Sequence, residues 1–189
     1  MISAIVLAAG EGRRFGGTKQ LEVVRGKPLV QHAIDAASAA GVGEIVVVLG
    51  HDADRVREAI VLPAEGHAVV NERYPEGQST SLAAGLRALD SSSDAAIVLL
   101  ADQPGITADH VRALVDTFAT EDSPYVRLRF RTGPGPALLG RETWPDAQAL
   151  EGDTGARALM DANPEAVIEV EIDADAPVDV DVAEDLPNA

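Results

Sequence analysis

Apolar and polar positions along this chain follow two rhythms. Short unbroken runs of mostly branched residues, Ile2 to Leu7, Ile45 to Val48 and Ala95 to Leu100, alternate with longer stretches in which apolar residues return at helical spacing. Runs apolar throughout fit strands covered on both faces. The pattern predicts strands over 2–7, 44–49, 67–71, 95–100 and 124–131. It predicts helices over 27–40, near 54–60, and over 78–89 and 108–118. Pro28 sits in the first turn of the 27–40 helix and Gly41 stops it. Such alternation implies an α/β fold with a mostly parallel sheet between helical layers. Ligands of these sheets bind beyond the carboxyl ends of the strands. That rule puts the glycine-rich turn after residue 8, Asn71 and Asp102 on one rim.

The first of those turns carries the strongest chemical signal. Gly10, Gly12, Gly16 and Gly17 are interleaved with Arg13, Arg14 and Lys19. Glycines let the backbone approach a ligand and turn its N–H groups inward, which favours an anion. With three cations beside those amides, a triphosphate is the natural guest. The turn fits neither common phosphate loop. Its end reads Gly16-Gly17-Thr18-Lys19 rather than Gly-Lys-Ser/Thr, and its glycine spacing is one residue too long for the dinucleotide fingerprint. Asp102 ends a buried run and is followed by Gln103-Pro104. A carboxylate there suits Mg²⁺, which takes one or two protein carboxylates and completes its shell with water and phosphate oxygens. The bland role for Asp102, capping the next helix, is already filled by Thr107.

Composition narrows the class. The 189 residues are 46% hydrophobic, enough for a substantial core, and include no cysteine, which removes disulfides and thiolate chemistry. No leader or long apolar run is expected, so a soluble cytoplasmic enzyme is the simplest expectation. Fifteen basic against 31 acidic residues give a net charge of −16. That surface repels nucleic acid. Lys19 and Lys27 are the only lysines. This scarcity, with so many carboxylates, is compatible with a high-salt cytoplasm and equally with a GC-rich genome. The four histidines lack metal-ligand spacing, and Tyr74, Tyr125 and Trp144 are too scattered to suggest a stacking platform.

Leu7 to Leu21 resembles the signature L-A-A-G-x-G-x-R-x-G-x-x-K of nucleotidyltransferases that activate sugars and cofactors, with Arg14 and Lys19 on the signature positions. Gly77-Gln78-Ser79-Thr80-Ser81-Leu82 and Leu99 to Pro104 follow in the order seen in MobA-like nucleotidyltransferases. Gly152-Asp153-Thr154-Gly155-Ala156-Arg157 resembles the G-D-x-G-A-R segment of their molybdenum cofactor cytidylyltransferase branch. Residues 177–186 resemble the family's closing D-I-D-T-P-E-D-L segment, with Val182 where threonine is usual. The resemblance spans nearly the whole chain. It implies a single domain over 1–189 with a three-layer, Rossmann-like sheet of the nucleotide-diphospho-sugar transferase type.

It also implies a reaction: a nucleoside triphosphate and a phosphorylated acceptor give a diphosphate-linked product and pyrophosphate. For this branch the acceptor is molybdopterin and the product passes to molybdenum hydroxylases. By the resemblance, Lys19 reaches the α-phosphate while Gly10, Gly12 and Arg14 hold the outer phosphates. Leu7, Ala8, Ala9, Asn71, Gln78 and Ser79 surround the nucleoside. Mg²⁺ sits on Asp102 and Asp181, with Asp179 as the alternate. Ala9, where guanylyltransferases of the family carry glycine, narrows the pocket and favours CTP over GTP. Asn71 offers a donor and an acceptor, as cytosine requires, though a turn role is as good.

The acceptor side is less orthodox. Arg127, Arg129 and Arg131 share one face of the 124–131 strand and, with Asp153 and Arg157, could hold an anionic acceptor. The alternative is a solvated face balancing carboxylates. The cytidylyltransferase branch usually shows G-H-P nearby, and Gly135 stands where its histidine would. Three alternatives stay open: a transferase for sugar, polyol or isoprenoid phosphates, a MobA-type guanylyltransferase, and a nucleotide-binding accessory protein for molybdoenzyme maturation.

Overall fold

The computed structural model describes residues 1–188. Seven strands form one sheet: β1 (Ile2–Ala8), β4 (Glu44–Leu49), β5 (Gly66–Val70), β6 (Ala95–Leu100), β7 (Tyr125–Phe130), β8 (Gly133–Gly140) and β9 (Val167–Ile172), in the order β5-β4-β1-β6-β8-β7-β9. β8 runs antiparallel to both neighbours, and the remaining neighbouring pairs are parallel. Helices α1 (Leu29–Ala40), α2 (Ala53–Ala59), α3 (Gln78–Ala88), α4 (Ala108–Thr120), α5 (Trp144–Gln148) and α6 (Ala156–Ala162) complete the layers.

The side-chain period of a strand explains the two helical layers. Along β1, Ala4, Val6 and Ala8 pack with Val30 and Ile34 of α1, Val56 of α2 and Leu114 of α4. The intervening Ile5, Leu7 and Ala9 pack with Leu82 and Leu86 of α3, Ala147 of α5 and Met160 of α6. α3 lies close to the sheet because residue 85 is glycine: a Cβ there would come within 2.5 Å of Ile5 Cγ2. The sheet is therefore apolar on both faces, as its unbroken runs predict.

Two segments differ from the sequence expectation. Lys27 and Pro28 do not open the first helix; they form β3 (Lys27–Pro28), paired antiparallel with β2 (Val23–Val24). Arg25 and Gly26 lie at φ 48° and 80° between them, the positive dihedrals of a tight hairpin turn. The helix starts two residues later than expected, at Leu29, whose N–H reaches the Glu22 carbonyl at 2.8 Å. The second difference is β8, whose Gly133-Pro134-Gly135-Pro136 reads as a break but is a strand. β6 pairs only with 137–140, so the prolines lie beyond it, and the β7 register shifts between Arg127 and Arg129 opposite them. Prolines are tolerated where a ladder bond is not required.

Candidate active site

The carboxyl ends of β1, β4, β5 and β6 form one rim, and backbone bonds stitch the loops above it together. His51 N–H reaches the Ala9 carbonyl at 3.1 Å, Ala101 N–H the Leu7 carbonyl at 3.1 Å, and Asn71 N–H the Leu49 carbonyl at 2.8 Å. The glycine-rich loop folds on itself: the N–H groups of Phe15 and Gly16 both donate to the Gly12 carbonyl at 2.9 Å. Gly12 lies at φ 61°, and a Cβ there would collide with the Gly17 carbonyl. The far end of the loop is tied to the β4–α2 turn by the Thr18 hydroxyl, which donates to Asp52.

Lys19 leaves this loop and points back into the rim. Its ammonium donates to Asp102 Oδ2 at 2.7 Å, to the Val180 carbonyl at 3.0 Å and to Asp181 Oδ1 at 3.4 Å. Arg14 reaches Asp181 Oδ2 at 3.5 Å from the exposed side. The 177–186 segment is held there by the Val180 N–H on the Asp102 carbonyl at 2.9 Å and by the Val180 side chain, buried with Val24 and Leu29. Asp185 accepts the backbone N–H groups of Asp181 and Val182 at 2.8 and 2.9 Å. That bond is made by backbone, so valine at 182 serves as well as threonine.

Asp102 Oδ1 is buried and has no hydrogen-bond partner, while Oδ2 is held by Lys19. A buried carboxylate oxygen left bare is costly unless a cation or donor meets it. Asp102 and Asp181 thus fit a magnesium-like ion, which needs only one or two protein carboxylates. Asp179, the alternate second ligand, accepts the Gln103 amide at 2.8 Å. Burial holds its carboxyl above the ordinary range, and Asp102 and Asp181 nearby add to the rise.

Two cavities meet at this rim. The first, about 230 Å³, is lined by Lys19, Asp102 and Asp153, by Tyr74, Gln78 and Ser81, and by Leu7, Ala9, Gly10 and Leu100. The second, about 450 Å³, has a floor of Val98, Leu100, Ala137 and the Pro134–Pro136 stretch and a rim of Arg127, Arg157, Asp153, Asp161 and Asp179. Leu7, Gln78, Leu100 and Asp153 belong to both. The divider is the 151–155 loop, clamped onto the start of α3. Ser79 donates to the Gly152 carbonyl through both its N–H, at 3.2 Å, and its hydroxyl, at 2.8 Å.

Leu7, Ala9, Gly10, Lys19, Gln78 and Asp102 therefore come together around the first cavity, and Arg127, Asp153 and Arg157 around the second. Ala8 is buried, and its carbonyl accepts the Gln20 amide at 3.2 Å. Gly12 borders an outer groove beside Arg13 and Tyr74 instead. Three expected residues are engaged elsewhere. Asn71 is buried, donating to Thr80 and Ser81 at 2.9 and 3.0 Å and accepting the Arg73 N–H at 3.1 Å, so its amide is committed to bracing α3. Ser79 clamps the divider. Arg129 is exposed on β7 and lines neither cavity. Arg127 reaches the second cavity already paired, with Asp161 at 3.2 Å and Glu169 at 2.5 Å, and Arg157 shares Asp161 at 3.5 Å.

Sequence reasoning passed over Gln20, Tyr74 and Ser81 as site residues. Gln20 is buried under the glycine-rich loop, donating to the carbonyls of Ala8 and Gly10, and its Oε1 has no partner. Ser81 accepts from Asn71, which leaves its hydroxyl hydrogen to be donated elsewhere. For Gln20 and Ser81 the available signal is their position in the glycine-rich and Gly77–Leu82 motifs; Tyr74 lies in neither.

Comparisons with known proteins bear on the family and the fold. The chain is 36% identical over 118 residues to the bifunctional protein GlmU of Bordetella petrii, a match covering 61% of this chain and 26% of that protein, so it spans only about a quarter of that relative. It is 31% identical over 198 residues to nicotine blue oxidoreductase of Paenarthrobacter nicotinovorans, covering 98% of this chain and 94% of that one. Among solved structures, Rv0371c of Mycobacterium tuberculosis H37Rv superposes with a TM-score of 0.87 at 29% identity, covering 97% of this chain and 94% of the other. The same protein has been solved in complex with manganese, with a TM-score of 0.82 to this chain. The MobA-like NTP transferase domain matches residues 4–167, the span that carries the glycine-rich loop, Lys19, Asp102 and both cavities' floors. That match covers most of the chain, which belongs to the MobA-like NTP transferase family.

Proposed function

We propose that this nucleotidyltransferase, its single domain spanning residues 1–189, moves CMP from CTP to the phosphate of molybdopterin, with Mg²⁺ as the working ion and a molybdenum hydroxylase as the eventual recipient of the product. The observation that carries the reading is the Lys19–Asp102 contact beside the bare Asp102 Oδ1, facing the first cavity. A phosphate monoester is an anionic nucleophile at neutral pH, its second pKa being about 6. An oxygen of the acceptor phosphate bonds to the α-phosphorus, the bond from that phosphorus to the bridging oxygen breaks, and pyrophosphate leaves with the electron pair.

The enzyme's work is then positioning and charge stabilisation. Gly10 brings backbone against the phosphates, Arg14 approaches from the open side, and Lys19 serves the α-phosphate. In this structure the Lys19 hydrogens are engaged by Asp102, Val180 and Asp181. Phosphate oxygens must replace those acceptors before Lys19 can stabilise the transition state. Asp102 and Asp181 would hold the divalent ion, which supplies neutralising charge for the phosphate oxygens. Asp153, on the wall shared by both cavities, stands between nucleotide and acceptor.

The second cavity supports a specific view of the acceptor. Its arginines are already neutralised by Asp161 and Glu169, while Asp153 and Asp179 present carboxylates. It suits a body rich in hydrogen-bond donors over an apolar floor, as an amino-substituted pterin provides. Sugar and polyol phosphates share the donor-rich character, and Gly135 in place of the branch's histidine favours them as the second reading.

Pyrophosphate release, screened with each nucleoside triphosphate against molybdopterin and a panel of sugar and polyol phosphates, tests this. Release is expected with CTP and molybdopterin. Lys19→Ala should lower turnover about 100- to 1000-fold while CTP binding stays within a few-fold. Release with a sugar phosphate alone overturns the acceptor. Absence of release with every acceptor overturns the transferase reading, and reduction of nicotine blue in its place would align the chain with the relative named as an oxidoreductase.

A further inference from the structure

The first cavity mixes charged and uncharged lining: Lys19, Asp102 and Asp153 carry charge, whereas Tyr74, Gln78 and Ser81 do not. Asp102 follows β6, and Gly50, on which Tyr74 rests, follows β4, so the two lie on opposite sides of β1. A nucleoside triphosphate has an anionic chain at one end and a flat, uncharged base at the other. Phosphates drawn to Lys19 beside Asp102 leave the base toward Tyr74. Among the described lining residues of this cavity, Tyr74 is the aromatic one.

The ring is held for such a role before any ligand arrives. Residue 50 is glycine, and a Cβ there would lie 2.8 Å from Tyr74 Cγ, so the ring rests directly on the backbone at the end of β4. The same Cβ would lie 2.8 Å from Ala9 Cβ, so the ring and the Ala9 methyl both crowd the Gly50 backbone. The His51 imidazole meets the ring edge-on, with centroids 6.3 Å apart and planes at 62°. The short turn Tyr74–Glu76 is closed by the Gly77 N–H on the Tyr74 carbonyl at 3.2 Å and spanned by the Arg73–Glu76 ion pair at 2.7 Å. Half-buried, the ring also borders the outer groove, so it stands as the wall between that groove and the cavity.

We infer that Tyr74 is a nucleoside-binding residue, the aromatic platform on which the base of the triphosphate stacks. This rests on the nucleotidyltransferase reading of the same cavity. Stacking is tolerant of base identity because every base has a π-face. Tyr74 therefore sets affinity for a nucleoside over bare phosphate, and base choice falls to polar neighbours such as Gln78 and Ser81. An aromatic residue placed in a turn, far in sequence from Tyr125 and Trp144, gives no stacking pattern to a reader of the chain.

The test compares CTP with inorganic tripolyphosphate, each titrated calorimetrically with Mg²⁺ into the full chain. Tyr74→Ala should weaken CTP binding about 10- to 100-fold and leave tripolyphosphate unchanged, while Tyr74→Phe stays within about twofold of wild type for both. Tyr74→Ala binding CTP as tightly as wild type overturns the inference. So does equal loss of CTP and tripolyphosphate, which marks the ring as a support of the fold, and so does a wild type that binds CTP no better than tripolyphosphate. A wild type that binds neither overturns the nucleotidyltransferase reading itself.

Discussion

Asp52 shows how one carboxylate can steady a catalytic loop without touching substrate. It stands at φ 51° in the turn before α2 and accepts the Thr18 hydroxyl and the Arg55 guanidinium, the latter at 2.9 Å. The Thr18 hydrogen bond, with help from His51 and Arg55, holds its carboxyl below the ordinary 3.8. An acid whose pKa is depressed by folding stabilises the fold above its unfolded pKa, and that contribution is lost as pH falls through the folded one. The stability difference between wild type and Thr18→Val should therefore be greatest near neutrality and shrink as pH drops below 3.8. Unfolding followed across that range checks it, and a difference indifferent to pH would mean the threonine acts by packing alone. Single residues were legible in the sequence where their chemistry is intrinsic. Lys19 and Asp102 announce themselves by type and motif. Asn71 and Arg127 did not, because their work is set by partners elsewhere in the chain: Ser81 for one, Asp161 and Glu169 for the other.

The clamp between α3 and the 151–155 loop depends on two glycines meeting. Gly77 lies at φ 120°, and a Cβ on it would collide with the Gly152 carbonyl. Gly77→Ala must strain the backbone and push the divider off the helix, at a cost of about 1–3 kcal/mol. Urea unfolding would register the loss, and an unchanged midpoint would show that the two segments do not need this approach. Elements were most legible where packing and pattern agree. β4 and β6 occupy the expected residues because strands buried on both faces leave unbroken apolar runs. β8 was missed for the opposite reason. Its first half is glycine and proline, and only its place between β6 and β7 makes it a strand. A Cβ at Gly135 would come 2.5 Å from Phe130, so the small residue where a histidine was expected fits tight packing against β7. β9 carries a readable alternation, with Glu169 and Glu171 outward, but lies beyond the segments the helix–strand rhythm organises.

Over the whole molecule, 31 acidic residues against 15 basic ones load the surface with like charge. Arg131 answers Asp173 and Asp175 at 3.4 and 3.2 Å, and no basic residue follows Arg157 in the sequence. Such repulsion is relieved when the Debye length falls from about 10 Å to about 3 Å. The melting temperature should rise by roughly 2–8 °C between about 0.1 and about 1 M KCl, equivalent to about 1–2 kcal/mol. Equal stability at both ends of the series would remove the case for adaptation to salt. No helix among the described residues is long and apolar enough to cross a membrane. The fold's class was legible from the chain because a buried parallel sheet imposes its rhythm everywhere, whereas the acceptor was not, because its cavity gathers residues from β6 to the 177–186 segment. One consequence concerns synthesis. Lys19 donates to a carbonyl 161 positions further on, at Val180. At about 5–20 residues per second, the ribosome adds Val180 roughly 8–30 s after Lys19. Through that interval the nascent chain can carry its glycine-rich loop and most of its sheet, yet the lysine lacks two of its three tethers, Val180 and Asp181. The last two acceptors of the Lys19 ammonium thus reach it only after the seventh strand of the sheet has been synthesised.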